Sequence, residues 1–259
     1  MRLALIADCH AGPDDETGHW SLGPALLGAL IHRLNSRVVP DLLVDLGDRI
    51  NATSRTVDLA SLAAIGAAFS RSTAPVIRVD GNEDRINLTA EDHDLALGRA
   101  TRAGAFERDA WRMVFLDTVA NGRNRISDEA LADLRLNLTY GRGSVVLVSH
   151  QPLVAPDLQG SRCFGGPGRG ALAVPENAAD AIEIINSSGR VALAIAGHVH
   201  STSVHEAGGT TWVTLQSLSE WLPEHHVPAE TWADLVLEPG GFRVEIHDQD
   251  MVCAESHAT

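Results

Sequence analysis

The chain has 259 residues, with 34 acidic side chains against 20 basic ones and a formal charge of −14. That balance argues against a nucleic acid polymer as partner, because no basic patch is present to release counterions from a phosphate backbone. Cys9, Cys163 and Cys253 are too few and too scattered for a disulfide framework, and no apolar segment reaches the roughly 20 residues that span a bilayer.

Arg2 leads straight into the apolar run Leu3 to Ala7, which reads as a first strand rather than a signal peptide; the expected compartment is the cytoplasm. A helix follows over Ala25 to Leu34, with Ser21 or Pro24 near its start. Leu42 to Leu46 is the next strand. The alanine- and leucine-rich stretch Asp58 to Phe69 reads as a helix capped by Asp58, and Val76 to Val79 as a third strand. Helices are predicted over Glu91 to Ala103 and over Ser127 to Leu136, with a strand over Trp111 to Leu116 between them. Val145 to Val148 is a strand, Asn177 to Asn186 a helix, and Val191 to Ala196 a further strand. Short, continuously apolar strands rich in β-branched residues are those buried on both faces. After residue 200 the pattern changes: Thr210 to Leu215 alternates, and Trp232 to Leu237 and Phe242 to Ile246 flank Pro239-Gly240-Gly241, a hairpin signal. This antiparallel end is expected to form the second sheet's edge and close a sandwich. Trp212, Trp221 and Trp232 are expected to gather there as core or interface residues rather than as a base-stacking platform. The tail from Met251 is expected to fray.

Five of the strands end in acidic or histidine-bearing clusters: Asp8-Cys9-His10, Gly47-Asp48, Gly81-Asn82-Glu83-Asp84, Ser149-His150 and Gly197-His198-Val199-His200. Ligand sites in open α/β sheets lie at the carboxyl edge of the strands, so clusters far apart in sequence can converge there. Asp8 and His10, like His198 and His200, are two residues apart, which in extended backbone turns both side chains to one face; Cys9 then points the other way and packs. Carboxylates, imidazoles and one amide suit Mn, Fe or Zn rather than a thiolate-seeking ion. Together the clusters can hold two metal ions, the means by which phosphate esters are hydrolysed.

The order Asp-x-His, Gly-Asp, Gly-Asn, His, Gly-His-x-His, running from residue 8 to residue 200, resembles the calcineurin-like metallophosphoesterases. The resemblance implies an α/β fold, a four-layer α-β-β-α sandwich of two mixed sheets flanked by helices, in one domain over residues 1–259. It implies one metal held by Asp8, His10 and His200 and a second by Asn82, His150 and His198, with Asp48 bridging and a metal-bridging hydroxide attacking phosphorus. The activity implied is a phosphodiesterase on a small phosphodiester, a cyclic nucleotide among the candidates. The alternatives are a phosphomonoesterase, a hydrolase of another P–O, P–N or P–C ester, or a catalytically weak metal-binding scaffold of the same fold.

One position departs from the family pattern. Where relatives carry a histidine after the asparagine, this chain has Glu83, followed by Asp84. Either Glu83 serves as general acid, with a pKa raised by burial or by Asp84, or the acid role is lost; His19 or His93 would be substitutes from nearby loops. The catalytic candidates are thus Asp48, Asn82, Glu83 and Asp84. Arg49, Arg85, Arg162 and Arg169 are each read either as a substrate-phosphate contact or as a surface salt bridge. Phe164 to Gly170 resembles a phosphate-cradling loop in composition only and is expected to be a mobile loop near the site. His205, His225-His226, His247 and His257 match no motif and are expected to face solvent. The antiparallel edge after Thr210 offers a surface on which a second copy of the chain would pair.

Overall fold

A computed structural model describes residues 1–15, 18–98, 104–119, 124–159, 161–222 and 227–248, together with the backbone of 252–258. The five apolar runs before the clusters are strands: β1 (Arg2–Ile6), β2 (Leu42–Asp45) and β3 (Val76–Arg78), then, after β4 (Ala105–Arg108) and β5 (Trp111–Leu116), β6 (Ser144–Ser149) and β7 (Val191–Ala196). β8 (Ser203–Ala207), β9 (Thr210–Thr214), β10 (Trp221–Leu222), β11 (Val227–Pro228), β12 (Trp232–Glu238), β13 (Gly241–His247) and β14 (Val252–Ala258) follow. The helices are α1 (Gly23–Arg33), α2 (Arg55–Phe69), α3 (Ala90–Leu97), α4 (Asp128–Thr139) and α5 (Ala178–Ser188).

Two six-stranded mixed sheets run β14-β13-β12-β1-β2-β3 and β4-β5-β6-β7-β9-β8. In the first, β1, β2 and β3 are parallel; in the second, β5, β6, β7 and β9 are parallel. Side chains alternate between the faces of a strand, and here both faces are buried. Leu3 and Leu5 of β1 join Met113, Val146, Val148, Leu193 and Ile195 in the core between the sheets. Ala4 and Ile6 turn outward onto Leu27, Ile31, Ile65 and Phe69 of α1 and α2. On the far side Val145 and Leu147 meet Leu134, Leu138, Ala181 and Ile185 of α4 and α5. The layers are helix, sheet, sheet, helix. Among the described residues no helix is long and apolar enough to cross a membrane.

The strand reading holds closely; what departs is pairing. The β12–β13 hairpin does not edge the second sheet. It extends the first, with β12 antiparallel to β1 through Leu3↔Leu235 and Leu5↔Ala233. β1 needs a hydrogen-bonded neighbour on each side, and Ala233, Leu235 and Leu237 continue its inner apolar face. β9 is no edge either, since β8 covers it. The three tryptophans part company: Trp212 packs under α4 and α5, Trp232 under α1, and Trp221 stands half-buried against His19. His247 does not face solvent but stacks on Trp232, ring centroids 4.2 Å apart and planes within 5°. α2 is capped at Ser54; Asp58 lies inside the first turn and accepts from the Thr53 and Ser54 N–H groups. α3 ends at Leu97, where Gly98 leaves helical geometry at φ 72°; residues 99–103 of that predicted helix, His225-His226, and the side chains of Cys253 and His257 lie outside the described residues.

Candidate metal centre

All five clusters meet at the carboxyl edge of β1, β2, β3, β6 and β7. Asp8 N–H donates to Gly47 O at 3.0 Å and His10 N–H to Asp48 O at 2.9 Å, tying the first two loops together. Gly197 N–H donates to His150 O at 3.0 Å, and His198 N–H to Asp8 Oδ2 at 2.9 Å. Asp8, His10, Asp48, His198 and His200 all have φ between 43° and 68°. Left-handed backbone costs a residue with a side chain about 1–3 kcal/mol, and it collects where surrounding structure imposes it for function. The spacing argument from extended backbone is therefore replaced by a tighter one: each loop turns sharply at its ligand. The motif glycines serve close approach. A Cβ on Gly81 would collide with the Asp48 carboxylate, and one on Gly197 with that of Asp8.

Asp8, His10 and His200 form one donor group and Asp48, His150 and His198 a second, the ligand atoms within each lying inside 4.8 Å of one another. Asn82 Oδ1 joins the second group, 3.2 Å from His150 Nε2. Asp48 Oδ2 lies 3.7 Å from His10 Nε2 and 3.4 Å from His150 Nε2, so one oxygen faces both groups. The surroundings fix which nitrogen is bare. A carbonyl oxygen can only accept, so His150 Nδ1 donates to Leu46 O (2.9 Å) and His198 Nε2 to Leu172 O (3.0 Å). In the neutral imidazoles that leaves the lone pairs of His150 Nε2 and His198 Nδ1 facing each other at 3.2 Å, beside the Asp48 carboxylate and the Asn82 carbonyl. His10 Nε2 and His200 Nε2 meet at 2.9 Å, while His200 Nδ1 lies 2.9 Å from Glu220 Oε2. Converging buried carboxylate, amide and imidazole groups suit a cation, and outward N–H groups anchored on carbonyls and carboxylates are the usual support of metal-ligating imidazoles. The donor set fits two metal ions, as the sequence implied.

The remaining candidates are placed as follows. Glu83 N–H donates to Asp48 Oδ1 (2.8 Å), and its carboxyl accepts from Ala52 N–H (3.1 Å) and Asn82 Nδ2 (3.2 Å). Burial, then the negative charge of Asp48, raises its pKa to about 7; Asp84 contributes less than the sequence suggested. Asp84 turns beneath the loops, fully buried, accepting from the N–H groups of Asp48, Arg49 and Gly81. It positions two ligand loops and does not approach substrate. His93 is buried with Nε2 on Asp84 O, and His19 stacks on Trp221. Arg49 is neither a phosphate contact nor a surface salt bridge. It is 1% exposed and donates to Asp45 Oδ2 (2.5 Å), Asp84 Oδ2 (2.9 Å), Asp80 Oδ1 (3.2 Å) and Val79 O (2.6 Å). Arg85 pairs with Asp80. Although burial opposes it, Arg49 and Arg85 hold the Asp80 carboxyl at about 2.

Residues that the sequence reading missed complete the centre. Glu220 backs His200. Ser217 Oγ donates to Asp8 O and Ser219 Oγ to Cys9 O, each at 2.6 Å. Trp20 packs on His10, ring centroids 5.0 Å apart. Phe164 of the glycine-rich loop packs on His198 at 4.9 Å, so that loop does lie over the site. None belongs to a spaced motif, which is why the sequence offers no signal for them.

No protein-family model matches the chain. A probable cyclic nucleotide phosphodiesterase of Synechococcus sp. is 25% identical over 256 residues, covering 95% of this chain and 92% of that one. A dimetal phosphatase from Danio rerio shares the fold over 100% of this chain and 98% of its own, with a TM-score of 0.74 at 17% identity. The chain has the calcineurin-like metallophosphoesterase fold and is similar in sequence to a probable phosphodiesterase. The same fold serves GAP50, the anchor in the inner membrane complex of Plasmodium, which aligns with 100% of this chain and 88% of its own at a TM-score of 0.66 and 16% identity.

Two outcomes are expected of this centre. Replacing Arg49 with Met leaves Asp45, Asp80 and Asp84 without their cation, and removal of one partner from a buried ion network costs about 3–5 kcal/mol. Urea unfolding of the chelated protein checks this; a loss below about 1 kcal/mol would show that the carboxylates do not depend on the clamp. The second concerns protons. Despite burial, Asp48 pushes His150 up to about 9, and burial with the His150 charge pushes His198 down to about 4. Proton and metal compete for His150 Nε2, so metal affinity should climb as pH rises from 7 toward about 9, by up to about tenfold per pH unit for that proton. Titration with Mn at several pH values measures it, and a flat profile from pH 7 to pH 9 contradicts it.

Proposed function

We propose that the protein is a dinuclear metal-dependent phosphodiesterase, in one domain over residues 1–259, acting in the cytoplasm on a small phosphodiester, with a cyclic nucleotide the leading candidate. The observation that carries the reading is the single Asp48 oxygen facing both donor groups, which supports a bridged pair of ions rather than two separate sites. Mn, Fe and Zn all suit the carboxylate, imidazole and amide donors. Bound there, such ions would supply an activated nucleophile and neutralise charge on the phosphoryl oxygens.

The chain's own residues account for the rest. Asp8, His10 and His200 would hold one ion, Asn82, His150 and His198 the other, and Asp48 both. Leu46 O, Leu172 O and Glu220 orient the imidazoles. Glu83, anchored by Ala52 N–H and Asn82 Nδ2, would give a proton to the departing oxygen. The preference for a diester follows from charge. Arg49 is committed to buried carboxylates and Arg85 to Asp80, so neither is offered to a dianionic monoester, whereas a monoanionic diester meets less repulsion from Asp48. The Synechococcus relative, by its name a cyclic nucleotide enzyme, agrees with the substrate class. The free thiols of Cys9 and Cys163 suit a reducing compartment.

Hydrolysis of bis(p-nitrophenyl) phosphate and of p-nitrophenyl phosphate by chelated and Mn-reconstituted protein tests the reading. Diester cleavage is expected only with metal, to exceed monoester cleavage, and to disappear in Asp48→Ala. Two bound ions per chain without diester cleavage would end the proposal. Glu83→Gln separates the acid role from mere structure. A p-nitrophenolate leaving group needs no proton, so its release should fall less than about tenfold, while cleavage of a cyclic nucleotide, whose leaving oxygen is an alkoxide, should fall by about 10²-fold or more. Equal losses on both substrates would deny Glu83 the acid role.

A further inference from the structure

A cavity of about 350 Å³ opens beside His200. Trp221 and Thr231 form part of its wall, with Gln216, Arg162, Asp157 and Asp248. The size lies in the range of a small-molecule site, roughly 300–1,000 Å³. Trp221 is held by the His19 ring, centroids 3.8 Å apart, so its indole is a fixed plane rather than a freely turning side chain. Ser217 N–H donates to Gln216 Oε1 at 2.7 Å, which fixes that amide and leaves its Nε2 hydrogens to serve a ligand. Thr231 is 0% exposed, and its Oγ1 has no hydrogen-bond partner among the described residues. A buried hydroxyl left unpaired costs about 1–3 kcal/mol, a cost that a hydrogen-bonding ligand in the cavity would remove.

We propose that this cavity is the subsite for the substituent of the phosphodiester that is not expelled, and that it takes a nucleoside. The proposal rests on the phosphodiesterase reading for the position of the phosphoryl group, which His200 places at the cavity mouth. The chemistry of the wall selects the class. An acyl chain would bury Gln216, Thr231 and Asp157 without partners. A second phosphate would meet three carboxylates, Asp157, Glu220 and Asp248, against one guanidinium. A planar, neutral, hydrogen-bonding group fits both the indole and the amide and hydroxyl donors.

Two measurements decide it. In turnover, thymidine 5′-(p-nitrophenyl phosphate) and bis(p-nitrophenyl) phosphate expel the same leaving group, so their difference reports the retained substituent alone. Trp221→Ala should lower kcat/KM for the thymidine ester at least tenfold more than for the other diester, and Thr231→Val, nearly isosteric, should do the same by about threefold to tenfold. In binding, thymidine 5′-monophosphate should bind the Mn-loaded protein at least tenfold more tightly than inorganic phosphate, an advantage lost in Trp221→Ala and reduced in Thr231→Val. Nucleotide binding no tighter than phosphate, or an advantage that survives both substitutions, overturns the subsite even if both diesters are cleaved. Nucleotide preference with neither diester cleaved upholds the subsite and removes the phosphodiesterase reading instead.

Discussion

Electron-pair donors crowd against one another at the carboxyl edge of two sheets, and the rest of the molecule is arranged to tolerate that crowding. His10 Nε2 and His200 Nε2 meet at 2.9 Å, and His150 Nε2 and His198 Nδ1 at 3.2 Å, with Asp8 and Asp48 between them and almost no water to screen the contact. Such an arrangement is unfavourable for a protein alone and favourable for a protein with a cation. The imposed left-handed backbone at Asp8, His10, Asp48, His198 and His200 has the same origin: each turn brings a side chain closer to its neighbours than regular structure allows.

The support lies one layer below. The Arg49 guanidinium binds the end of β2, through Asp45, to the loop after β3, through Asp80 and Asp84. Asp84 in turn accepts the N–H groups on either side of the Asp48 turn. Ser217 and Ser219 perform the corresponding service for the Asp8 loop from the segment after β9, joining the second sheet to the first across the centre. The donor geometry is thus held from both sheets. Disturbing either support should therefore be felt as lost metal affinity as well as lost stability.

The strand ends were legible in the sequence because continuous apolar runs of four to six residues followed by polar clusters have few other readings. Asp8, His10, Asp48, Asn82, His150, His198 and His200 were legible because they recur in a fixed order at those ends. Arg49 was open to two readings, a phosphate contact or a surface salt bridge, and Asp84 stood as the neighbour that raises the Glu83 pKa; the inward turn of both side chains, which joins them in one buried ion pair, has no signature in their spacing. Glu220, Ser217 and Trp20 were invisible because their partners lie up to 209 residues away along the chain.

What the sequence determined by itself is local. Two-sided burial of the strands, the turn glycines and the chemical character of the donor set all follow from side chains and their neighbours in the chain. Only the tertiary structure decided which strands pair, that β12 and β13 extend the first sheet, which imidazole nitrogen is bare, and that an indole, an amide and an unpaired hydroxyl line a cavity beside His200. The reason is physical: hydrogen bonds between strands and the burial of polar atoms depend on which surfaces are brought together, and spacing along one chain does not specify those surfaces.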